Sequence, residues 1–236
     1  KRVIGKMKKI SVVIPVFNEG KLISRCVERV LDEPLVSDVV IVDDGSNDNT
    51  ANQLALYEDH PKVKIFTHPI NKGKGAALKT GFGLAGSAFV ITQDADLEQD
   101  PSDYKSIIEP LLRNEADVVY GTRLTKAKPT RIMGFPNYVA NKLLTFFANF
   151  LYNKIFSDIA TGYKVFKKDI IKNLNITSDG FEIEPEITAK ISKMRDLKIF
   201  EVPISIFSRS YEEGKKVRWW HFFTYIYHLL KWRITP

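Results

Sequence analysis

Three apolar, β-branched runs, at residues 10–17, 39–42 and 88–92, each break off into a short polar stretch carrying carboxylates. Runs that stay apolar without alternating suit strands covered on both faces. Between them lie segments with helical patterning at 21–31, 49–57 and 75–84, and a further strand-like run at 63–66. Strand and helix taken in turn at this period predict an α/β class: a mostly parallel sheet flanked by helices. A helix over 101–113, opened by Pro101 in a first-turn position, and a strand at 118–120 close the series. The second half is less regular. Its patterning predicts helices at 138–156, 167–174, 185–193 and 217–230, and one or two strands within 198–207 broken by Pro203.

The chain has 236 residues, enough for one large domain or a domain with an extension. We expect one domain over 1–210, with a first part at 8–123 and a second at 124–210, then a basic, aromatic, amphipathic helical region over 211–236. The single cysteine, Cys26, excludes an intrachain disulfide and fits a reducing compartment. The basic start runs straight into a strand and reads as no signal peptide. No stretch reaches the roughly 20 apolar residues that span a bilayer. A net charge of +7 favours anionic partners. Nucleic acid is disfavoured among them, because the distinctive loops are acidic where such binding needs a basic face.

In an open parallel sheet, ligands bind at the carboxyl ends of strands. Asn18-Glu19, Asp43-Asp44-Gly45-Ser46 and Gln93-Asp94-Ala95-Asp96 stand at three such ends. Each alone is an ordinary turn sequence. Together they set carboxylates side by side, which repel unless a cation lies among them. Asp94 and Asp96, one residue apart, can face one divalent ion, with Glu98 as a third oxygen. Hard oxygen donors suit Mg²⁺ or Mn²⁺, and the lack of a His/Cys cluster argues against structural zinc. A solvated acidic turn before Pro101 is the competing reading. Gly73 to Thr80 fails both as a dinucleotide fingerprint and as a phosphate loop, since Leu78 stands where each needs a small residue. Lys72 and Lys74 at this helix start can still meet phosphate.

Residues 12–19 (Val-Val-Ile-Pro-Val-Phe-Asn-Glu), 42–50 (Val-Asp-Asp-Gly-Ser-Asn-Asp-Asn-Thr) and Asp94-Ala95-Asp96 resemble successive signatures of family 2 glycosyltransferases with the GT-A fold. Blocks at 71–75, 121–123, 158–164, 182–186 and 209–216 are similar to the dolichol- and polyprenyl-phosphate sugar synthase branch, so the likeness covers about residues 10–218. It implies an inverting, metal-dependent hexosyltransferase that moves a hexose from a UDP- or GDP-sugar to a polyprenyl phosphate. Pro15, Val16, Glu19 and Asp43, with Asp44 beside them, would hold the nucleotide. Asp94, Asp96 and Glu98 would hold the metal and diphosphate. Arg123 and Arg209 would meet phosphate, and Lys215 and Lys216 would join Arg209 at the acceptor. The branch usually carries Gln where this chain has Glu98, and the block around Ala160 departs from its glucose and mannose variants.

A sugar hydroxyl acceptor needs a carboxylate base. A lipid phosphate, with a second pKa near 6, is largely a dianion at neutral pH and needs none. Asp158 is either an assisting carboxylate or an orienting partner of nearby cations. Aromatic residues crowd 219–232, with His221, Thr224, His228 and Lys231 as a polar stripe, and in 138–156 Lys142, Thr145, Asn149 and Asn153 form another. Both segments read as helices lying on a membrane surface, at its cytoplasmic face, the competing reading being aromatics packed onto the core. A glycosyltransferase acting on a glycan hydroxyl is the alternative function.

Overall fold

The continuous apolar runs become central strands because they alone can be covered on both faces. In the computed structural model, which describes residues 9–125, 127–132, 134–209 and 221–235, β1 (Ile10–Val16), β2 (Val36–Asp43), β3 (Val63–Thr67) and β4 (Phe89–Thr92) run parallel. Register decides what meets at their carboxyl ends. Val16 lies opposite Asp43, and Val13 opposite Thr92, so the three acidic stretches emerge along one edge. The other strands are β5 (Val118–Thr122), β6 (Lys164–Lys167) and β7 (Ile199–Pro203), and the sheet order is β3-β2-β1-β4-β6-β5-β7.

Strand β6 runs antiparallel to both β4 and β5. The sequence reading placed no strand there. Four residues with Lys at both ends show no period of their own; partners on either side make the strand, and that pairing is tertiary. Directly after it, α6 (Lys168–Asn173) meets the predicted helix.

Alternate residues of the strands face two layers. Val12, Ile14, Val39 and Ile41 pack with α1 (Ile23–Leu31) and α4 (Tyr104–Leu112). A short 3-10 turn, Pro101–Asp103, leads into α4, and its cap is the Asp100 side chain accepting from Ser102 N–H. Val13, Val40 and Val42 face the opposite layer of α3 (Lys74–Leu84), α5 (Phe135–Tyr152), α7 (Ile183–Lys193) and α8 (His221–Ile234). The small helix α2 (Thr50–Ala55) follows the acidic end of β2.

Helices α5 and α8 are amphipathic in an unusual sense. Leu144 and Ala148 of α5, and Tyr225, Leu229 and Trp232 of α8, are buried, yet Leu143, Phe146 and Phe150, and Phe223, Tyr227 and Leu230, are exposed. The polar stripe expected on α5 does not face water throughout. Thr145 is buried and donates to Asn141 Oδ1, while Asn149 both accepts from Phe156 N–H and donates to its carbonyl. These side chains satisfy the loop behind the helix and leave its outer surface apolar. The aromatics of α8 divide between core and surface: Tyr225 and Trp232 are buried, Phe223 and Tyr227 exposed. Trp219, Trp220, Lys215 and Lys216 lie outside the described residues. No described helix is long and apolar enough to cross a membrane.

Candidate active site

A cavity of about 550 Å³ opens at the carboxyl ends of β1 and β4. Pro15, Val16, Phe17 and Glu19 line one end, with Asp44, Asn71 and Gly73; Asp94, Asp96 and Glu98 line the middle. Asp44 is buried and organises the backbone at this edge of the cavity. Its oxygens accept from Lys72 N–H and Gly73 N–H, and Asp44 Oδ1 lies 2.6 Å from His68 Nδ1. His68 in turn lies 3.0 Å from Thr80 Oγ1 through Nε2. Gly73 takes φ +103°, a conformation open to glycine, which lets the loop deliver its amides at the start of α3. Asp43 is buried off the cavity wall and accepts from Ser46 N–H. Lys72 is exposed and also off that wall, whereas Lys74 lines it.

The carboxylate loop turns at Leu97, whose φ of +62° is costly for a branched residue. Such strain persists where the surroundings impose it, here between Asp96 and Glu98. Asp94 Oδ1 pairs with Lys74 Nζ at 2.7 Å and its Oδ2 accepts from Gln99 Nε2. Asp96 Oδ1 accepts from Glu98 N–H and its Oδ2 meets Arg209 Nη2 at 3.2 Å. Burial, then the negative charges of Asp94 and Glu98, push the Asp96 carboxyl up to about 7 against the pull of Arg209. A divalent cation would relieve that repulsion, so the donor set fits one. Among the described residues, no three His, Cys, Asp or Glu side chains converge as a ready-made metal cage. Two carboxylates completed by substrate phosphates match the usual habit of Mg²⁺.

Arg209 joins the two ends of the site. Its guanidinium pairs with Glu19 at 3.0 Å as well as with Asp96, and the Arg209 backbone N–H donates to Glu98 Oε1. Across the cavity, Arg123 grips Asp158 with Nε and Nη2 at 2.6 and 2.7 Å. Asp158 is 0 % exposed, lies off the cavity wall and takes a further bond from Asn141 Nδ2. Burial would raise its pKa, but Arg123 and Asn141 hold it below the ordinary carboxylate range. Glu201 accepts from Ser157 N–H and Asp158 N–H, which fixes the turn.

The structure thus gathers Pro15, Val16, Glu19, Asp44, Lys74, Asp94, Asp96, Glu98, Arg123 and Arg209 around one cavity. It adds residues the sequence reading did not assign. His68 had no ligand spacing, and its role exists only because β3 brings it beside Asp44. Asn141 sat in an aromatic helix with no local signal. Glu184 and Gly162 belonged to blocks of the branch likeness, the one cue that pointed at them.

The family model described as Glycosyl transferase family 2 matches residues 11–174. The chain is 30 % identical to the UDP-N-acetylglucosamine–dolichyl-phosphate N-acetylglucosaminyltransferase of Methanococcus voltae, over 94 % of this chain and 95 % of that protein. It is 28 % identical to the undecaprenyl-phosphate mannosyltransferase of Micrococcus luteus, over 88 % and 87 %. In fold it is similar to glucosyl-3-phosphoglycerate synthase from Mycobacterium tuberculosis in complex with UDP. That match has a TM-score of 0.73 at 18 % identity, and covers 97 % of this chain and 81 % of the other.

Proposed function

The chain belongs to glycosyl transferase family 2, and from that premise we propose that it moves a hexose from a nucleotide-sugar to a polyprenyl phosphate with inversion. The Methanococcus and Micrococcus relatives carry names of that acceptor class. The observation that carries the reading is the state of Asp158. A carboxylate with no exposure, gripped by Arg123 and bonded to Asn141, is poorly placed to take a proton from a sugar hydroxyl. It suits an orienting role: it holds Arg123, which does line the cavity, toward an anion. A phosphate acceptor, already anionic, makes the base unnecessary.

On this reading the nucleotide enters along Pro15, Val16 and Glu19, with the loop held by Asp44 around its phosphates. Asp94 and Asp96 would hold Mg²⁺ or Mn²⁺, with Glu98 beside them; when bound, such an ion supplies positive charge for the departing diphosphate. A phosphate oxygen of the acceptor attacks the anomeric carbon as the bond to the diphosphate oxygen breaks. The nucleoside diphosphate leaves with that electron pair, and no proton moves. The chain's own contribution is position and charge, from Lys74, Arg123 and Arg209.

The cavity opens beside Asn137, Ala140, Asn141 and Leu144 of α5, whose outer face carries the exposed Phe146 and Phe150. A lipid whose phosphate reaches Arg123 would leave its tail at this apolar face, so we place the enzyme on a membrane surface. The test is transfer of radiolabel from UDP- and GDP-sugars to a short polyprenyl phosphate with MnCl₂. Label in the lipid fraction, lost in EDTA, is expected. Label passing to glycan hydroxyls and never to lipid phosphate would replace this reading with the glycan-elongating one.

A further inference from the structure

Glu184, near the start of α7, is 6 % exposed and lines the cavity, yet no step above uses it. It lies between two ammonium groups. Lys74 Nζ is 3.4 Å from Oε1, and Lys164 Nζ donates to Oε2. Lys164 is 1 % exposed, donates also to Thr161 and Ile159 carbonyls, and stands 4.8 Å from the Tyr120 ring centroid. Two lysines hold the carboxylate, Lys74 from the cavity lining and Lys164 from the buried side. Its cavity-facing side is therefore preorganised, and a buried ion pair is not in itself a strong source of stability.

The placement says what the carboxylate faces. Lys74 reaches both Glu184 and Asp94, and the two distances cap the separation of those carboxylate oxygens at about 6 Å. A sugar bonded to a diphosphate seated at Asp94 therefore lies within reach of Glu184. Phe181, Phe222 and Tyr225 also line the cavity. The charges already balance locally, two lysines against Glu184 and Asp94. A sugar carboxylate would place a second negative charge against Glu184.

We infer that Glu184 is the donor-sugar recognition residue, accepting hydrogen bonds from ring hydroxyls, and that the subsite selects a neutral hexose or N-acetylhexosamine over a uronate. This rests on the glycosyltransferase reading above and deepens it. A site built to pair with substrate hydroxyls discriminates strongly, because its acceptor is otherwise left unmatched.

Calorimetry with MnCl₂ tests it. Dissociation constants are measured for UDP, GDP and their sugar conjugates with the wild type, Glu184→Gln and Glu184→Asp. The Asp variant keeps a counter-charge for Lys164 but withdraws the carboxylate from the sugar; melting temperatures check both folds. The free nucleotide should bind each variant within about threefold of wild type, while the sugar conjugate weakens about tenfold or more. Equal weakening of both ligands would reduce Glu184 to a support of Lys74 and Asp94, and overturn the inference. So would unchanged sugar-nucleotide affinity with lost transfer, which is the mark of a base. A wild-type measurement needs no variant: UDP-glucose against UDP-glucuronate, or GDP-mannose against GDP-mannuronate for a guanine-selective site. Equal affinity within the pair overturns neutral-sugar selection. No binding of any nucleotide or conjugate to the wild type would instead sink the glycosyltransferase reading.

Discussion

Gly162 makes no hydrogen bond to a ligand, yet it sets where the Asp94 carboxylate can lie. A β-carbon built on Gly162 would stand about 1 Å inside ordinary contact of Asp94 Oδ2, and 3.2 Å from both Gln99 Nε2 and Lys74 Nζ. Its φ is not in the left-handed region, so the backbone accepts alanine. The atom that must yield is the end of a short side chain, so the fold should survive Gly162→Ala. Loss of unfolded-state freedom even favours alanine by about 0.4–1 kcal/mol. The strain therefore falls on Asp94, which must rotate or shift by about 1 Å and loosen its 2.7 Å bond to Lys74. Misplacement on that scale costs on the order of 10²-fold in rate, or about 2.7 kcal/mol of barrier. The assay pairs a thermal melt with transfer rates at rising MnCl₂. We expect a melting temperature within a few degrees of wild type, a rate lower by about 10²-fold, and a higher metal requirement. A variant with wild-type rate and metal response would refute the placement of Asp94 at the diphosphate.

Asp158→Asn should lower transfer by roughly 10²-fold or less while the pH profile still follows the acceptor's ionisation near 6; complete inactivity with intact folding and donor binding would favour a hydroxyl acceptor. The same variant leaves Arg123 without its counter-charge and should cost about 3–5 kcal/mol of stability, read from chemical denaturation. Because the Asp96 pKa is raised to about 7, ion binding below that pH must displace a proton. Affinity for Mn²⁺ should therefore climb as pH rises toward 7 and then level off, measured by titration at fixed nucleotide. The stability sign is the reverse: a raised carboxyl favours the folded state below about 3.9, and that share is lost as pH rises through 7, so Mn²⁺ should raise the melting temperature more at pH 8 than at 5.5. Phe146→Ser with Phe150→Ser, at side chains 71 % and 76 % exposed, should leave the melt unchanged and weaken binding to anionic liposomes by at least tenfold, since each Phe contributes about 1.5–3 kcal/mol when buried; unchanged liposome binding would remove α5 from the membrane contact.

Much of the first half was legible in the chain. Runs such as Val12-Val13-Ile14 and Val39 to Val42 have no exposed face to offer, so they had to be inner strands, and β-α alternation leaves few topologies for them. The acidic stretches follow those strands directly, so knowing the strands placed Asp94 and Asp96 at the ligand edge. Long-range pairing was beyond reach of any local pattern. Strand β6 exists through its neighbours; His68 meets Asp44 because the sheet register sets them side by side; and Asp158 is paired only because Arg123, 35 residues earlier in the chain, closes on it. Periodicity also could not say which side of α5 would face inward. Thr145 and Asn149 turned toward the loop they satisfy, and the phenylalanines were left outside. Local sequence dictates conformation through side-chain sterics and apolar period, which act over a few residues. The roles of polar side chains depend on which partners come within about 3 Å, and that is decided by tertiary packing alone.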